Sequence, residues 1–138
     1  MIPRIRRKKT PEGNDSGKFK NQKVTIDGHK FDSKAESRRY LELKDLAYTQ
    51  KIADLRLQVP FELIPSQYQD GRCIERSVKF IADFTYMEDG QLVVEDVKSP
   101  ATITPVFVLK RKLMLYIRGI RVKEFMPCKM SKKGLGAG

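Results

Sequence analysis

The segment VVEDVKS, residues 93–99, places three charged side chains within a run of valines that is typical of a buried strand. Glu95, Asp96 and Lys98 lose hydration free energy on burial unless they pair with other charges or bind a ligand. Because side chains alternate across a strand, Asp96 and Lys98 share one face, and Glu95 lies on the other. The pattern predicts a charged site with Asp96 beside Lys98. We expect Glu95 to face away from it and to pair with a basic residue.

A second carboxylate lies on the preceding predicted strand, where Asp83 stands between the apolar residues of FIADF. A turn at Glu88, Asp89 and Gly90 predicts an antiparallel hairpin, which can bring Asp83 close to Asp96. Two carboxylates against one lysine leave negative charge in a partly dry place, and a divalent cation would balance it. Oxygen ligands indicate a hard ion, Mg²⁺ or Mn²⁺, which activates water for hydrolysis of a phosphodiester.

A third carboxylate precedes this hairpin, on a helix predicted from about residue 34 to 49. Ser33 is the expected N-cap, and Glu36 stands three residues later, as in a capping box. Glu36 also belongs to the stripe of the helix that faces the core. Two interpretations stay open: Glu36 completes the cap, which this stretch alone favours, or it delivers a carboxylate to the site.

The remaining segments predict an α/β or α+β domain, with a mixed central sheet flanked by helices. Asp27-Gly28 marks a small hairpin at 23–31, and Pro105 and Gly119 bracket a second helix. The other expected elements are a strand interrupted or edged by Pro60, a loop containing SQYQDG, and a last short strand in IRVKEFM.

The net charge of +11 is concentrated at the two ends of the chain. Residues 1–23 carry a net charge of +6 and residues 129–138 carry +3, so the middle is nearly neutral. We therefore predict a basic flexible arm at 1–22, one domain at 23–127 and a basic flexible tail at 128–138.

Basic arms suit a polyanion, and nucleic acid is the commonest one. The alternative is that the arms only keep the protein soluble. Arg111 and its two lysine neighbours on the second helix either hold a nucleic-acid backbone or form a solvated face. The predicted nucleic-acid contacts are Arg4, Arg6, Arg7, Lys8, Lys9, Lys110 and Lys112.

Other classes of site are not indicated. Cys73 and Cys128 lie far apart and His29 is the only histidine, so no Cys/His zinc site can be assembled. The sequence predicts neither a membrane span nor a signal peptide, and we expect a cytoplasmic location.

Asp83 followed by Asp96-Val97-Lys98, with Glu36 upstream, resembles the PD-(D/E)xK nuclease superfamily. Over residues 22–126, the chain is similar to a family of small phage-encoded nucleases that resemble Holliday-junction resolvases. The segments that carry this similarity are DGHKFDSKAESRRYLEL, LQVPFELIP, VKFIADFTY, VVEDVKSP and FVLKRKLM, in that order.

This resemblance implies a restriction-endonuclease-like core in which Glu36, Asp83 and Asp96 bind Mg²⁺, with Mn²⁺ as a substitute. It also implies a metal contact from the carbonyl of Val97 and a catalytic role for Lys98. Glu36 is therefore reassigned from the cap to the metal.

Three positions of the resemblance need separate treatment. Gln58 lies where relatives carry a glutamine, and it either contacts metal-bound water or caps a strand. The chain departs from the pattern at Ala82, where the superfamily name has proline, and at Ser99-Pro100, where a glycine is common.

The activity implied by the resemblance is metal-dependent hydrolysis of branched DNA, such as Holliday junctions, during phage replication and recombination in the host cytoplasm. Two symmetric cuts would require a homodimer. The alternatives are a nuclease-fold module that binds nucleic acid without cutting it, and a nuclease of linear DNA ends or RNA. The retained carboxylates favour catalysis, because they repel the phosphates that a binding module must hold.

Overall fold

The computed structural model describes residues 23–127. The predicted basic ends, including Arg4, Arg6, Arg7, Lys8 and Lys9, lie outside the described residues. The elements in chain order are β1 (Val24–Ile26), β2 (His29–Phe31), α1 (Lys34–Tyr48), β3 (Ala53–Ile64), β4 (Gln67–Gln69), β5 (Arg72–Glu75), β6 (Val78–Glu88), β7 (Gln91–Val97), a 3₁₀ turn (Pro100–Thr102), α2 (Pro105–Arg118) and β8 (Lys123–Phe125).

The central sheet has four strands in the order β3-β6-β7-β8. The β3–β6 and β6–β7 pairs are antiparallel, whereas β7 and β8 are parallel, so the sheet is mixed. Together with two helices, this arrangement confirms the predicted α+β class. Pro60 lies on β3, an edge strand of this sheet, where the missing N–H of proline is tolerated.

Both helices begin where the sequence predicts, and α2 also ends at its predicted glycine. The Oγ of Ser33 accepts a hydrogen bond from the N–H of Glu36, and the Oγ1 of Thr104 accepts one from Phe107. Gly119 ends α2 with a φ of 66°, a left-handed conformation that favours glycine.

The loop predicted over SQYQDG was wrong. This segment forms a second small hairpin, in which β4 and β5 pair across Asp70-Gly71. The turn signal is the same Asp-Gly dipeptide that joins β1 to β2. Its flanking residues are exposed and mostly polar, so the alternating hydrophobic pattern that predicts strands is missing.

Two hydrophobic clusters pack on opposite faces of the central sheet. One contains Phe107 and Met114 of α2, and the other contains Tyr40 and Leu43 of α1. Neighbouring residues of β7 are divided between them, since Val94 belongs to the α2 cluster and Val93 packs against the α1 cluster. Each helix therefore covers one face, and β7 lies between two buried layers.

The paired strands β3 and β6 change faces part-way along their length. Ala82 belongs to the α2 cluster and Phe84 to the α1 cluster, although residues two apart in a regular strand share a face. On β3, Phe61 packs against the α2 cluster and Leu57 against the α1 cluster. Between Leu57 and Val59, Gln58 has a left-handed φ of 52°. Asp83 lies between Ala82 and Phe84, and therefore at the point where β6 changes the face that it presents to each cluster.

Within residues 23–127, neither helix has the length and apolar composition needed to cross a membrane.

Candidate functional site

Three carboxylates from three different elements meet at the end of the β6–β7 hairpin. The last backbone pair of this hairpin is Phe84 with Glu95. Beyond it, side chains bond the two strands: the N–H of Asp83 donates to Asp96 Oδ1 at 3.1 Å, and the N–H of Val97 donates to Asp83 Oδ2 at 2.9 Å. The predicted proximity of Asp83 and Asp96 is therefore present, and each carboxylate is oriented by the opposite strand.

Gln58 joins the third carboxylate to this pair. Its Nε2 donates to Glu36 Oε1 at 3.0 Å and lies 3.5 Å from Asp83 Oδ1. The left-handed backbone of Gln58 costs roughly 1 kcal/mol or more for a residue with a Cβ. The helix cap uses the backbone N–H of Glu36, while the carboxylate of this residue accepts the bond from Gln58. Glu36 can therefore take part in the helix cap through its backbone and in the site through its carboxylate.

Lys98 faces the same site as Asp96. Its Nζ lies 2.9 Å from Asp96 Oδ2 and 4.2 Å from the centre of the Phe107 ring. Its backbone N–H donates to the carbonyl of Phe125 at 2.9 Å. The ammonium group is therefore held by a carboxylate and an aromatic face, and the strand that carries it is held by β8.

Glu95 lies on the opposite face, as alternation predicts. It is fully buried, and Arg39 donates to both of its oxygens, from Nε at 2.8 Å and from Nη2 at 2.7 Å. The hydroxyl of Tyr86 also donates to Glu95, at 3.0 Å. The predicted pairing with a basic residue is confirmed, and Glu95 is thereby satisfied away from Asp96.

The three carboxylates carry more negative charge than Lys98 balances. Burial raises the pKa of Asp83 to about 8, and the charges of Asp96 and Glu36 add to this effect. Burial also raises the pKa of Glu36. Without a further cation, the site binds a proton at neutral pH, because three ionised carboxylates repel one another in a partly buried place.

A protein-family profile described as "Protein of unknown function (DUF1064)" matches residues 16–132. The chain belongs to this family. No curated protein and no solved structure gives a significant match. The DUF1064 match spans both helices, the central sheet and all three carboxylates, and its description assigns no activity to them.

The donor set of the DUF1064 site fits a hard divalent cation. Glu36, Asp83 and Asp96 offer carboxylate oxygens, and a cation would offset the burial and the mutual repulsion that together raise the pKa of Asp83. As they stand, no three or more His, Cys, Asp or Glu side chains within residues 23–127 are grouped closely enough to hold a metal ion. Their oxygens are instead directed at backbone N–H groups, Gln58 and Lys98. Binding would require these side chains to exchange hydrogen bonds for metal contacts.

The two predicted lysines of α2 line two different cavities. Lys110 lines a cavity of about 280 Å³ beside Asp96 and Lys98. Lys112 instead lines a larger groove toward β8. Arg111, between them, pairs with Glu124. Of the two predicted lysines, Lys110 is therefore the one that shares a cavity with Asp96 and Lys98.

Sequence reasoning did not single out Arg39 or Tyr86. Arg39 stands three residues after Glu36, on the side of α1 that is buried, and its guanidinium also packs 3.8 Å from the centre of the Phe125 ring. An arginine at an inward helical position is the signal that could have identified a partner for Glu95.

Proposed function

We propose that this DUF1064 protein is a metal-dependent endonuclease that hydrolyses phosphodiester bonds of DNA, with branched DNA such as Holliday junctions as its substrate. The observation that carries the proposal is the gathering of Glu36, Asp83 and Asp96, with Lys98 paired to Asp96 as their one cationic contact among the described residues. Burial, together with the charges of Asp96 and Glu36, raises the pKa of Asp83 to about 8. A structural ion pair would be balanced, whereas this site has an excess of carboxylates that a divalent cation would balance.

The three carboxylates would hold Mg²⁺ or Mn²⁺, which when bound polarises the phosphodiester and lowers the pKa of water. The residues of the chain supply orientation and charge. Backbone N–H groups of Asp83 and Val97 fix the rotation of the two aspartates. In the resemblance to PD-(D/E)xK nucleases, Val97 would also offer its carbonyl to the cation.

Lys98 is the only cation within hydrogen-bond distance of Asp96 among the described residues. Its contact with Phe107 limits the positions that Nζ can adopt. A phosphate oxygen beside Asp96 would be met by this ammonium group, which offsets the charge that develops during hydrolysis. The same group can position the attacking water, as the resemblance implies.

The preference for branched DNA, the action during phage replication in the cytoplasm of a bacterial host, and the homodimer rest on the resemblance. Two symmetric cuts need two copies of the site, and each chain offers one. Light scattering tests the dimer directly. A mass near the 15.9 kDa monomer, both free and with junction DNA, would contradict it.

A single gel tests the activity. The full chain is incubated with a four-way junction, a flap, a linear duplex, single-stranded DNA and RNA, each with Mg²⁺ or with EDTA. We expect Mg²⁺-dependent cutting of the junction, with Asp96→Asn as the inactive control. Cutting of linear DNA or RNA alone would overturn the substrate, and binding without any cutting would overturn catalysis.

A further inference from the structure

A groove of about 750 Å³ lies at the edge of the central sheet, between α2 and β8. Its walls carry four basic side chains and one acidic side chain. The lining residues are Arg111, Lys112, Leu115, Arg121, Val122, Lys123 and Glu124.

The positive charge of this groove is mostly unbalanced. The one carboxylate, Glu124, is held by Arg111. Lys112 and Arg121 are exposed and take part in none of the ion pairs of residues 23–127. Lys123 lies 3.8 Å from Glu95, whose oxygens Arg39 already engages. Because Lys123 is directed at Glu95 on the α1 face, Lys112 and Arg121 are the cations of the groove that remain available to an anionic ligand.

The groove begins one strand away from the carboxylate site. Asp96 on β7 is the registered partner of Glu124 on β8, and neighbouring strands lie about 4.8 Å apart. Because paired residues point to the same face, Asp96 with Lys98 and Glu124 with Arg111 form adjacent ion pairs. A polyanion held in the groove therefore passes close to the site where we propose that hydrolysis occurs.

We propose that this groove binds the sugar-phosphate backbone of nucleic acid, with Lys112 and Arg121 as phosphate contacts. The inference rests on the proposed nucleic-acid substrate, but it does not require cleavage. Arginine and lysine are the usual donors to phosphate oxygens, and Arg111 neutralises the one carboxylate that would repel them. An acidic peptide has the same charge, but it offers no phosphodiester to the adjoining site.

The test is DNA binding in EDTA, measured by fluorescence anisotropy over a range of salt concentrations. The variant Lys112→Gln/Arg121→Gln is compared with Lys30→Gln/Arg72→Gln, which removes the same charge from exposed positions on other elements. Each phosphate contact contributes about 0.9 to the slope of log K against log salt. We expect the groove variant to lose about 2 from this slope and at least about tenfold in affinity, and the control variant to lose much less.

A second groove variant, Lys112→Gln alone, removes only one of the two phosphate contacts. It should therefore lower the slope by about 1. Equal losses in the groove and control variants, or an unchanged slope in both groove variants, would overturn the inference. Polyglutamate that binds the groove and is not displaced by DNA would do the same. If the parent protein cuts no DNA but the salt slopes of binding change as expected, the proposed hydrolysis is wrong and the proposed binding groove is supported.

Discussion

Arg39 and Glu95 form a two-point ion pair that joins α1 to β7 behind the carboxylate site. Both guanidinium bonds are shorter than 2.9 Å, and Glu95 has no exposed surface. Arg39 is one helical turn from Glu36, and Glu95 is the neighbour of Asp96. The pair therefore sets the position of one candidate metal ligand relative to another.

Removing the charge of Glu95 should reduce stability more than chemistry. Glu95→Gln leaves the buried Arg39 with only the exposed Glu42 as a charged partner, so we expect the free energy of unfolding to fall by about 3 kcal/mol. Cleavage should stay substantial at temperatures where the variant is folded, because Glu95 faces away from the site. Urea denaturation and a cleavage assay measure the two effects. Loss of cleavage with unchanged stability would mean that Glu95, not Asp96, faces the site.

Asp96→Asn, one residue after Glu95, should reduce cleavage more than stability. Asp96→Asn, Asp83→Asn and Lys98→Ala should each lower the cleavage rate by about 100-fold or more with the fold intact. In EDTA, the two Asp→Asn variants should bind DNA as well as the parent or better, because a carboxylate near the phosphates is neutralised. Cleavage assays, circular dichroism and anisotropy check these points. Parental cleavage by all three variants would remove the proposed active site.

Gln58 has a strained backbone and an amide that contacts two carboxylates, and two substitutions separate these properties. Gln58→Gly and Gln58→Ala both remove the amide, but only glycine adopts a φ of 52° without strain. The glycine variant should be more stable than the alanine variant by roughly 1 kcal/mol, as measured by urea denaturation. We expect both to cut DNA about tenfold more slowly, because the amide orients Glu36 and Asp83. Parental rates in both would leave Gln58 with a structural role alone.

The raised pKa of Asp83 predicts a pH-dependent stability. Folded Asp83 keeps its proton up to about pH 8, whereas the unfolded chain releases it near the ordinary value of 3.8. Between these values the folded state binds more protons, so the free energy of unfolding should fall as pH rises from about 4 to 8 and then level off. Thermal unfolding in EDTA measures this trend, which Asp83→Asn should flatten.

The same experiment with a cation tests the metal site. At pH 8, Mg²⁺ should raise the unfolding temperature of the parent, because it binds the ionised carboxylates of the folded state. The increase should be much smaller for Asp83→Asn. An equal increase in both proteins would indicate that Mg²⁺ binds elsewhere.

Local patterns in the sequence were sufficient to predict most elements and the facing of the acids on β7. Turns and helix ends depend on residues within a few positions of each other. The examples here are the turn at Asp27-Gly28, the N-cap at Ser33 and the ends of α2 at Pro105 and Gly119. The separation of Glu95 from Asp96 follows from the two-residue period of a strand. The β4–β5 hairpin was missed because its polar strands lack that period.

Only the tertiary structure decided which distant residues meet. Arg39 and Glu95 are 56 positions apart, and their pairing depends on how α1 packs across the sheet. The bend at Gln58 is a left-handed conformation that no local propensity of glutamine predicts. The basic groove likewise requires α2 to lie beside β8, which brings Lys112 and Arg121 to the same groove. Sequence periodicity determines which face a side chain takes within its element, whereas packing between elements determines what that face contacts.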